Sequence, residues 1–335
     1  MDFTVEADPC RECNSWKKEK SLPRKAIDEL RARVAIPAIA APMFLVSGTA
    51  LVIETCKGGV IGTFPALNGR KTSDFEAMLE QITSELSEHG AAHPDALVAP
   101  YGVNLIIHRS NPRVVAELCI KFKVPLIITS LGKPTDVCEA VHAYGGLVFS
   151  DVANVDHARK AAACGVDGLI LVCAGAGGHA GALNPFVFVS AVRQFFDGAI
   201  VLAGCISDGR AIRAAEVLGA DFAYLGTRFI PTTESLARPE YKEMIVASQA
   251  ADIVHTPVVS GVPANFMKAS LARCGYDVDK LDEAARPLNM NMEDEAKAWR
   301  DAWSAGQGVQ LINAVQPVRD VVAQLRKEYA AAQRA

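Results

Sequence analysis

Eight short apolar segments, separated by helical patterns, constrain the fold of this chain more than any other feature of its sequence. The segments are apolar throughout rather than alternating, which is typical of strands in a parallel sheet that is buried on both faces. Eight strand–helix units in succession predict an α/β fold, namely a (β/α)8 TIM barrel with its helices outside. The predicted strands cover residues 36–41, 59–64, 101–107, 124–130, 146–151, 168–173, 199–204 and 222–226.

An open, doubly wound sheet is the alternative that this pattern leaves open. Such a sheet usually carries its glycine-rich fingerprint directly after the first strand. Here the first predicted strand leads into "APMFLVSG" at residues 41–48, and the segment richest in glycine follows the sixth strand. The position of the glycines therefore favours the closed barrel.

The helical patterns also predict how the chain divides into domains. Residues 1–23 are polar and charged, and we expect a mobile N-terminal tail there. Residues 24–234 and 309–335 are predicted to form the barrel, because the last stretch has the apolar periodicity of an amphipathic helix that would be the eighth of the ring. The pattern changes between them, and residues 235–308 are predicted to be a smaller helical insertion, a substrate or lid domain, with some extended segments.

Composition excludes several classes of function. The net charge of −4, with both signs mixed along the chain, lacks the basic footprint of a nucleic-acid-binding protein. No apolar run reaches the roughly 18 residues of a membrane span, and no signal peptide is evident, so we expect a cytoplasmic protein. The nine scattered cysteines do not suggest a disulfide framework. Cys10 and Cys13 form one CxxC, which leaves a metal or redox role open beside that of a simple tail.

His179 is the main candidate for catalysis. It lies in "AGAGGHAG", residues 174–181, and has four glycines close by that cannot shield a side chain but allow a ligand to approach the backbone. A barrel gathers its active site at the carboxyl ends of its strands, and a neutral imidazole can exchange a proton near neutral pH. A structural histidine is the alternative. A metal site is not predicted, since no second ligand lies at a useful spacing. His108, after the third strand, could also face the site.

Small residues follow the seventh and eighth predicted strands and indicate a phosphate site. Gly204 and Cys205 precede a helix expected to begin near Asp208, while Gly226 and Thr227 precede another turn. Small residues let backbone N–H groups approach an anion, and a helix N-terminus adds a favourable dipole. These two loops are a common phosphate site in TIM barrels. Two ordinary strand-to-helix turns are the alternative interpretation.

Five motifs in this order resemble the nitronate monooxygenase family, also called 2-nitropropane dioxygenases. They are "AAPMFLVSG", "YGVNL", "AGGHAG", "VLAGCISDGR" and "YLGTRF". The resemblance covers roughly residues 34–235 and returns at "SGVPANF" (260–266) and "AGQG" (305–308). The relatives of this family include FMN-dependent enoyl reductases and NAD(P)H:quinone reductases. The resemblance implies a barrel that binds FMN, with a small helical domain over the flavin.

The resemblance assigns roles to individual residues. It makes His179 the catalytic residue, and it brings Gln307, from the C-terminal segment, towards the substrate pocket. His108 is a second candidate for that pocket, from its position after the third strand. Cys205 replaces the second glycine of a Gly-Gly pair, a change that backbone contacts tolerate unless the position needs a positive φ. Asp151 stands where some relatives carry a lysine near the flavin, and a carboxylate there would not stabilise an anionic flavin. The predicted cofactor-binding residues are Pro42, Met43, Phe44, Asn104, Ser130, Asp151, Gly178, Gly204, Cys205, Gly226 and Thr227.

The function that the resemblance implies is FMN-dependent oxidation of nitronates or nitroalkanes by molecular oxygen, with His179 binding the substrate or acting as the base. One alternative is an NAD(P)H-dependent FMN reductase that acts on quinones or enoyl thioesters. Another is a flavin-binding module without turnover. The expected partners are a small-molecule substrate and oxygen, or NAD(P)H, without nucleic acid or membrane, and a homodimer is left open.

Overall fold

The predicted barrel is confirmed, and it is closed. The computed structural model describes residues 24–107, 112–259, 261–281 and 299–334. Eight parallel strands pair in the order β1-β2-β3-β4-β5-β6-β8-β9, and the last pairs with the first, Ile39 opposite Tyr224. This closing pair excludes the open doubly wound sheet. The strands of the chain are β1 (Ala38–Ala40), β2 (Ile61–Pro65), β3 (Tyr101–Ile106), β4 (Leu126–Ser130), β5 (Leu147–Val152), β6 (Gly168–Val172), β7 (Gly178–His179), β8 (Ala199–Ala203), β9 (Phe222–Leu225), β10 (Ile253–Thr256) and β11 (Ala264–Met267).

Helices surround the barrel as the sequence predicts. The final helix, α11, packs against α8 and α2, so it closes the ring between the last and the first strand–helix units. The helices are α1 (Arg24–Ala32), α2 (Thr49–Lys57), α3 (Thr72–Ala92), α4 (Pro112–Lys121), α5 (Thr135–His142), α6 (Val155–Ala162), α7 (Pro185–Arg193), α8 (Gly209–Leu218), α9 (Pro239–Ala247), α10 (Lys268–Arg273) and α11 (Val318–Ala332). Short 3-10 helices lie at Ala66–Asn68, Thr227–Phe229, Ala250–Asp252 and Gln307–Leu311.

The barrel strands contribute to two separate apolar clusters, which explains why their sequences are apolar throughout. Alternate residues of a strand point to opposite faces, so Phe149 lies in the interior cluster while Val148 packs under the helices. Helix α1 adds Ile27 and Leu30 to the interior cluster, together with Val34 just beyond its end. The interior is therefore a filled core rather than a channel, and α1 covers its amino-terminal end.

The described part of the insertion after β9 contains both helices and strands, and the sequence predicted a helical insertion with some extended segments. It contains α9 and α10, but β10 and β11 lie between them and pair antiparallel. Strand β11 also pairs antiparallel with β7, the two-residue strand that holds His179. A three-stranded sheet, in the order β10-β11-β7, thus joins the insertion to the loop that follows β6.

Several predictions fall outside the described residues. The tail of residues 1–23, with Cys10 and Cys13, is one, and His108 is another. No helix within the described part of the chain is both long and apolar enough to cross a membrane. The described cysteines are all free thiols. Residues 24–107, 112–259, 261–281 and 299–334 include no group of three or more His, Cys, Asp or Glu arranged to hold a metal ion.

Candidate active site

Polar side chains from three neighbouring strands line the carboxyl end of the barrel interior. Asn104 on β3 is buried, and its Nδ2 donates to the Ser130 hydroxyl on β4 at 2.7 Å and to the carbonyl of Ile128 at 3.2 Å. The Ser130 hydroxyl donates in turn to Asp151 Oδ2 on β5 at 2.6 Å. Three residues predicted to bind the cofactor are therefore linked by one chain of hydrogen bonds, which fixes their side chains relative to each other.

Two of the buried polar atoms that have no hydrogen-bond partner among the described residues belong to barrel strands. They are Asp151 Oδ1 and the hydroxyl oxygen of Tyr224 on β9. Burial raises the pKa of the Asp151 carboxyl to about 6, against a smaller opposing effect of the Ser130 hydrogen bond. Burial also raises the pKa of Tyr224 well above its usual range, and the nearby Asp151 charge adds to this. Unsatisfied buried polar groups cost free energy, so these two atoms indicate a place for a polar ligand.

The segment after β1 is held in an unusual backbone conformation. Pro42, Met43 and Phe44 are half-buried, and the next residue, Leu45, has φ of 60°. Asn68 braces this segment: it accepts a hydrogen bond from the Leu45 N–H at 2.9 Å and donates to the Met43 carbonyl at 3.2 Å. The predicted flavin-side segment is thus a rigid turn at the mouth of the barrel.

His179 projects from strand β7 and is exposed. Its ring makes a T-shaped contact with Trp299, with 4.9 Å between centroids, and Trp299 stacks on Phe266 of β11 at 5.2 Å. The imidazole therefore has an aromatic neighbour from the insertion, which the sequence did not indicate. His179 lies at the junction of the barrel mouth and the insertion, so its exposed ring can reach a ligand bound there.

The glycines around His179 have a different role from the one that the sequence suggested. A Cβ at Gly177 would lie 2.8 Å from Gly306 N and 3.0 Å from the Ala305 carbonyl carbon. A Cβ at Gly175 would collide with Cys205 Sγ, and one at Gly181 with the backbone carbonyls of Val172, at the end of β6, and Ala153. Protein atoms thus fill the space at three of the four glycines. Gly178, predicted to bind the cofactor, has φ of 72° and open space beside it.

The two predicted phosphate loops lie on adjacent strands, at the ends of β8 and β9. Gly204 and Cys205 have φ values of 128° and 58°, so the position of Cys205 is one that favours glycine. Gly226 precedes the 3-10 turn that begins at Thr227, and Thr227 Oγ1 accepts a hydrogen bond from Gly306 N at 2.9 Å. A hydroxyl that accepts in this way can still donate its own proton to an anion.

The N-terminus of α8 differs from its predicted role. The helix begins at Gly209, close to the expected start, but two of its first N–H donors already bond to carboxylates. Asp208 accepts from Ala211 N at 2.7 Å, and Glu328 of α11 accepts from Gly209 N at 2.9 Å. Two carboxylates already lie at this helix end, and they disfavour the binding of a further anion there. The backbone of the preceding loop, rather than the helix dipole, is therefore the candidate phosphate site.

Gln307 lies beside these loops. Its backbone N–H donates to the Gly175 carbonyl at 3.0 Å, and its Oε1 is 3.7 Å from Cys205 Sγ. The structure therefore brings Gln307 together with the predicted phosphate loops and the His179 loop.

Three residues of the site were not indicated by the sequence, namely Tyr224, Asn265 and Trp299. Only Tyr224 carried a usable signal, an interior-facing polar residue near the end of the last strand.

Comparisons with known proteins agree with this architecture. The family model described as nitronate monooxygenase matches residues 29–328. The chain is 26% identical to a nitronate monooxygenase of Paraburkholderia phytofirmans, over 93% of this chain and 95% of that protein. It is 27% identical to an indene-4-carboxyl-CoA dehydrogenase of Rhodococcus jostii, over 74% and 67% of the two chains. Among solved structures, a FabK mutant of Thermotoga maritima has a TM-score of 0.74 and 27% identity, over 92% and 96%.

Proposed function

The chain belongs to the nitronate monooxygenase family, and from that premise we propose that it oxidises nitronates, the anions of nitroalkanes, with molecular oxygen and FMN. The chain is an oxidoreductase, as its family is. The observation that carries the proposal is the exposed imidazole of His179, set at the rim of the barrel mouth among loops suited to a phosphate and a ring. A flavin-binding module without turnover is not retained.

His179 is proposed to act directly on the substrate. A neutral imidazole can remove the α-proton of a nitroalkane, and it can also donate a hydrogen bond to the oxygens of a nitronate. Trp299 lies against the His179 ring, which limits the directions from which substrate and water reach it. The same residue thus binds the preformed anion or generates it from the neutral compound.

The residues at the barrel mouth fit FMN. Gly204, Cys205 and Gly226 would present backbone N–H groups to its terminal phosphate, and Thr227 would donate its hydroxyl proton. Asp151 Oδ1 has no hydrogen-bond partner among the described residues, so it could contact the polar edge of a flavin ring bound at the mouth of the barrel interior. Bound FMN would accept electrons from the substrate and pass them to oxygen, while the protein orients the substrate and moves its proton.

Two substitutions of His179 test its role. His179→Ala should lower turnover of a neutral nitroalkane by about 10²–10⁴-fold, the usual effect of losing an acid–base group, with a smaller loss for the preformed nitronate. His179→Phe keeps an aromatic ring against Trp299 and should show the same contrast. Steady-state kinetics on both substrates, at equal flavin content, measure it. Equal losses on the two substrates would indicate binding alone, and an unchanged rate would remove His179 from the mechanism.

A reductase is the second candidate, because the chain is also similar to a dehydrogenase of a carboxyl-CoA compound. It would use NAD(P)H to reduce FMN and pass the electrons to a quinone or an enoyl thioester. Anaerobic mixing of the protein with NADH, NADPH or a nitronate separates the two candidates, because the flavin absorbance is bleached only by the true donor. Bleaching by NAD(P)H and not by a nitronate would replace the proposed function.

The identity of the flavin needs its own measurement. One terminal phosphate suits the paired loops at β8 and β9, and the N-terminus of α8 offers no second anion site, since carboxylates occupy it. We therefore expect mass spectrometry of the released cofactor to give FMN. FAD, or a colourless protein that ignores added FMN, would contradict this.

A further inference from the structure

The loop that leads to His179 is held by the insertion on two sides. On one side, the backbone of residues 305–307 passes close to Gly177, and Gln307 N donates to the Gly175 carbonyl at 3.0 Å. On the other side lies strand β11, with Ala264 opposite His179. The position of the imidazole is therefore decided by residues far away in the sequence.

Asn265 makes the one side-chain hydrogen bond from β11 to this loop among the described residues. It lies opposite Gly178 in the strand pair, is 4% exposed, and its Nδ2 donates to the Ala176 carbonyl at 2.6 Å. Its amide therefore reaches past its cross-strand partner and fixes the backbone two residues earlier. This contact ties the start of the loop, as well as its end, to the insertion.

Backbone hydrogen bonds to neighbouring residues of the barrel fix parts of the loop, but two glycines leave its backbone adjustable. Gly175 and Gly178 have φ values of 81° and 72°, in the region that glycine adopts freely. Glycine also visits other conformations at little cost, so these positions act as pivots on either side of Ala176 and Gly177. A hydrogen bond to the Ala176 carbonyl, which lies between these two glycines, therefore fixes the path of the backbone that leads to His179.

The neighbouring residue of the same strand restrains the ring. Phe266 stacks on Trp299, and Trp299 meets the His179 imidazole. Adjacent strand residues point to opposite faces. On one face of β11, Asn265 bonds to the backbone of the loop, and on the other face Phe266 supports the His179 side chain through Trp299. Both restraints come from two consecutive residues of the insertion.

We propose that Asn265 is a positioning residue for catalysis, which holds the His179 imidazole at its working place through the Ala176 carbonyl. The inference rests on the proposed function, in which His179 acts on the substrate. Misplacing a reacting group by about 1 Å can cost 10²-fold in rate. The loss should fall on the step that needs the most exact placement, which is proton removal from a neutral nitroalkane.

Asn265→Ala tests the proposal in the flavin-loaded enzyme. We expect turnover of a neutral nitroalkane to fall about 10–10²-fold, turnover of the nitronate to fall less, and flavin content to stay the same. Ser235→Ala is the matched control. Ser235 is also buried, stands at the start of the insertion, and donates to a backbone carbonyl, that of Ile230, at 2.6 Å. The control should lower the melting temperature and leave the ratio of the two turnover rates unchanged.

Asn265→Asp gives a readout that a merely structural role would not produce. An ionised carboxylate cannot donate to the Ala176 carbonyl, whereas the protonated acid can. The rate of this variant relative to Asn265→Ala, at the same pH, should therefore rise as the pH falls. The His179 imidazole resonance in NMR, assigned with His179→Phe, should shift in Asn265→Ala and not in Ser235→Ala, whichever substrate the enzyme uses.

The results that would overturn the proposal are distinct from those that would overturn the proposed function. An unchanged ratio of turnover rates and an unchanged His179 resonance in Asn265→Ala, with a melting temperature lowered as in the control, would make Asn265 structural only. If the wild-type enzyme turns over neither nitronates nor nitroalkanes, the proposed function is wrong. The NMR resonance of the His179 imidazole in Asn265→Ala would still show whether Asn265 positions that ring.

Discussion

Among the single residues of the candidate site, Asp151 is the most unusual, because it is a buried carboxyl group that no basic side chain neutralises in the described structure. Its carboxyl lies at the end of β5 with one oxygen bonded to Ser130 and the other without a partner. Burial raises its pKa to about 6, so the neutral acid is populated at mildly acidic pH. An ionised carboxylate here would not stabilise an anionic flavin, and the raised pKa makes the neutral acid more abundant as the pH falls.

Asp151→Asn should change how stability depends on pH. The carboxyl pKa is raised from 3.8 to about 6 on folding, so its contribution is fully present below pH 4 and is lost as the pH rises through 6. An asparagine amide does not ionise, so the variant keeps its stability as the pH rises. Above pH 6 it should be more stable than wild type by up to about 3 kcal/mol. Urea unfolding of the flavin-free proteins between pH 4 and 8 measures the difference, and a difference independent of pH would contradict the prediction.

Cys205 allows a test of backbone strain in the predicted phosphate loop after β8. A non-glycine residue at φ of 58° costs roughly 1 kcal/mol, and glycine relieves that cost. Cys205→Gly and Cys205→Ala both remove the contact between Sγ and Gln307, so their difference isolates the backbone. We expect the Gly variant to be more stable than the Ala variant by about 1 kcal/mol in thermal unfolding. Equal stabilities would mean that the loop relaxes out of this conformation.

At the scale of elements, the barrel strands were predictable because each is buried on both faces and reads as an apolar run. Strand β7 was not predictable. It consists of Gly178 and His179, has no periodicity, and exists only because β11 lies beside it, 85 residues later in the chain by the register of His179 and Ala264. The two strands of the insertion are four residues each, which is too short for their apolar pattern to be distinguished from that of a helix.

Gly177 tests whether close backbone contact fixes the His179 loop. Its Cβ would lie 2.8 Å from Gly306 N, so Gly177→Ala must push the insertion segment away. We expect a loss of about 1–3 kcal/mol in stability, as for other overpacked sites, and lower turnover. Gly90→Ala is the control, because it lies in α3 with nothing within 4 Å of its Cβ, and it should stabilise by roughly 0.5–1 kcal/mol. Unchanged stability in Gly177→Ala would show that the loop is free to move.

Across the whole molecule, residues at strand ends are predictable from the sequence, whereas residues that reach the site from the insertion are not. Parallel strands place their carboxyl ends at one rim, which is why Asn104, Ser130 and Asp151 were predictable and prove to be linked. Asn265 and Trp299 approach from the insertion, and no strand-end rule indicates them. The cytoplasmic location and a homodimer stay predictions of the sequence.

The amino-terminal end of the barrel gives a test of the whole fold. Ile27, Leu30 and Val34 lie in the interior cluster, where they cover the barrel opposite the active site. Burying each such side chain contributes about 1.5–3 kcal/mol, and their sum approaches the roughly 5–15 kcal/mol by which folded proteins are stable. Deleting residues 1–34 should therefore abolish cooperative unfolding or make the protein precipitate.

Deleting residues 1–23 is the matched variant, because it stops before α1 and removes only a polar segment without an apolar face. We expect this shorter deletion to keep the flavin content and the midpoint of urea unfolding of the full chain. If it loses the flavin, then the tail with Cys10 and Cys13 contributes to the site, and its interpretation as a simple tail is wrong. If instead the deletion of residues 1–34 leaves the midpoint unchanged, α1 does not close the barrel in solution, because exposing three interior side chains cannot be neutral.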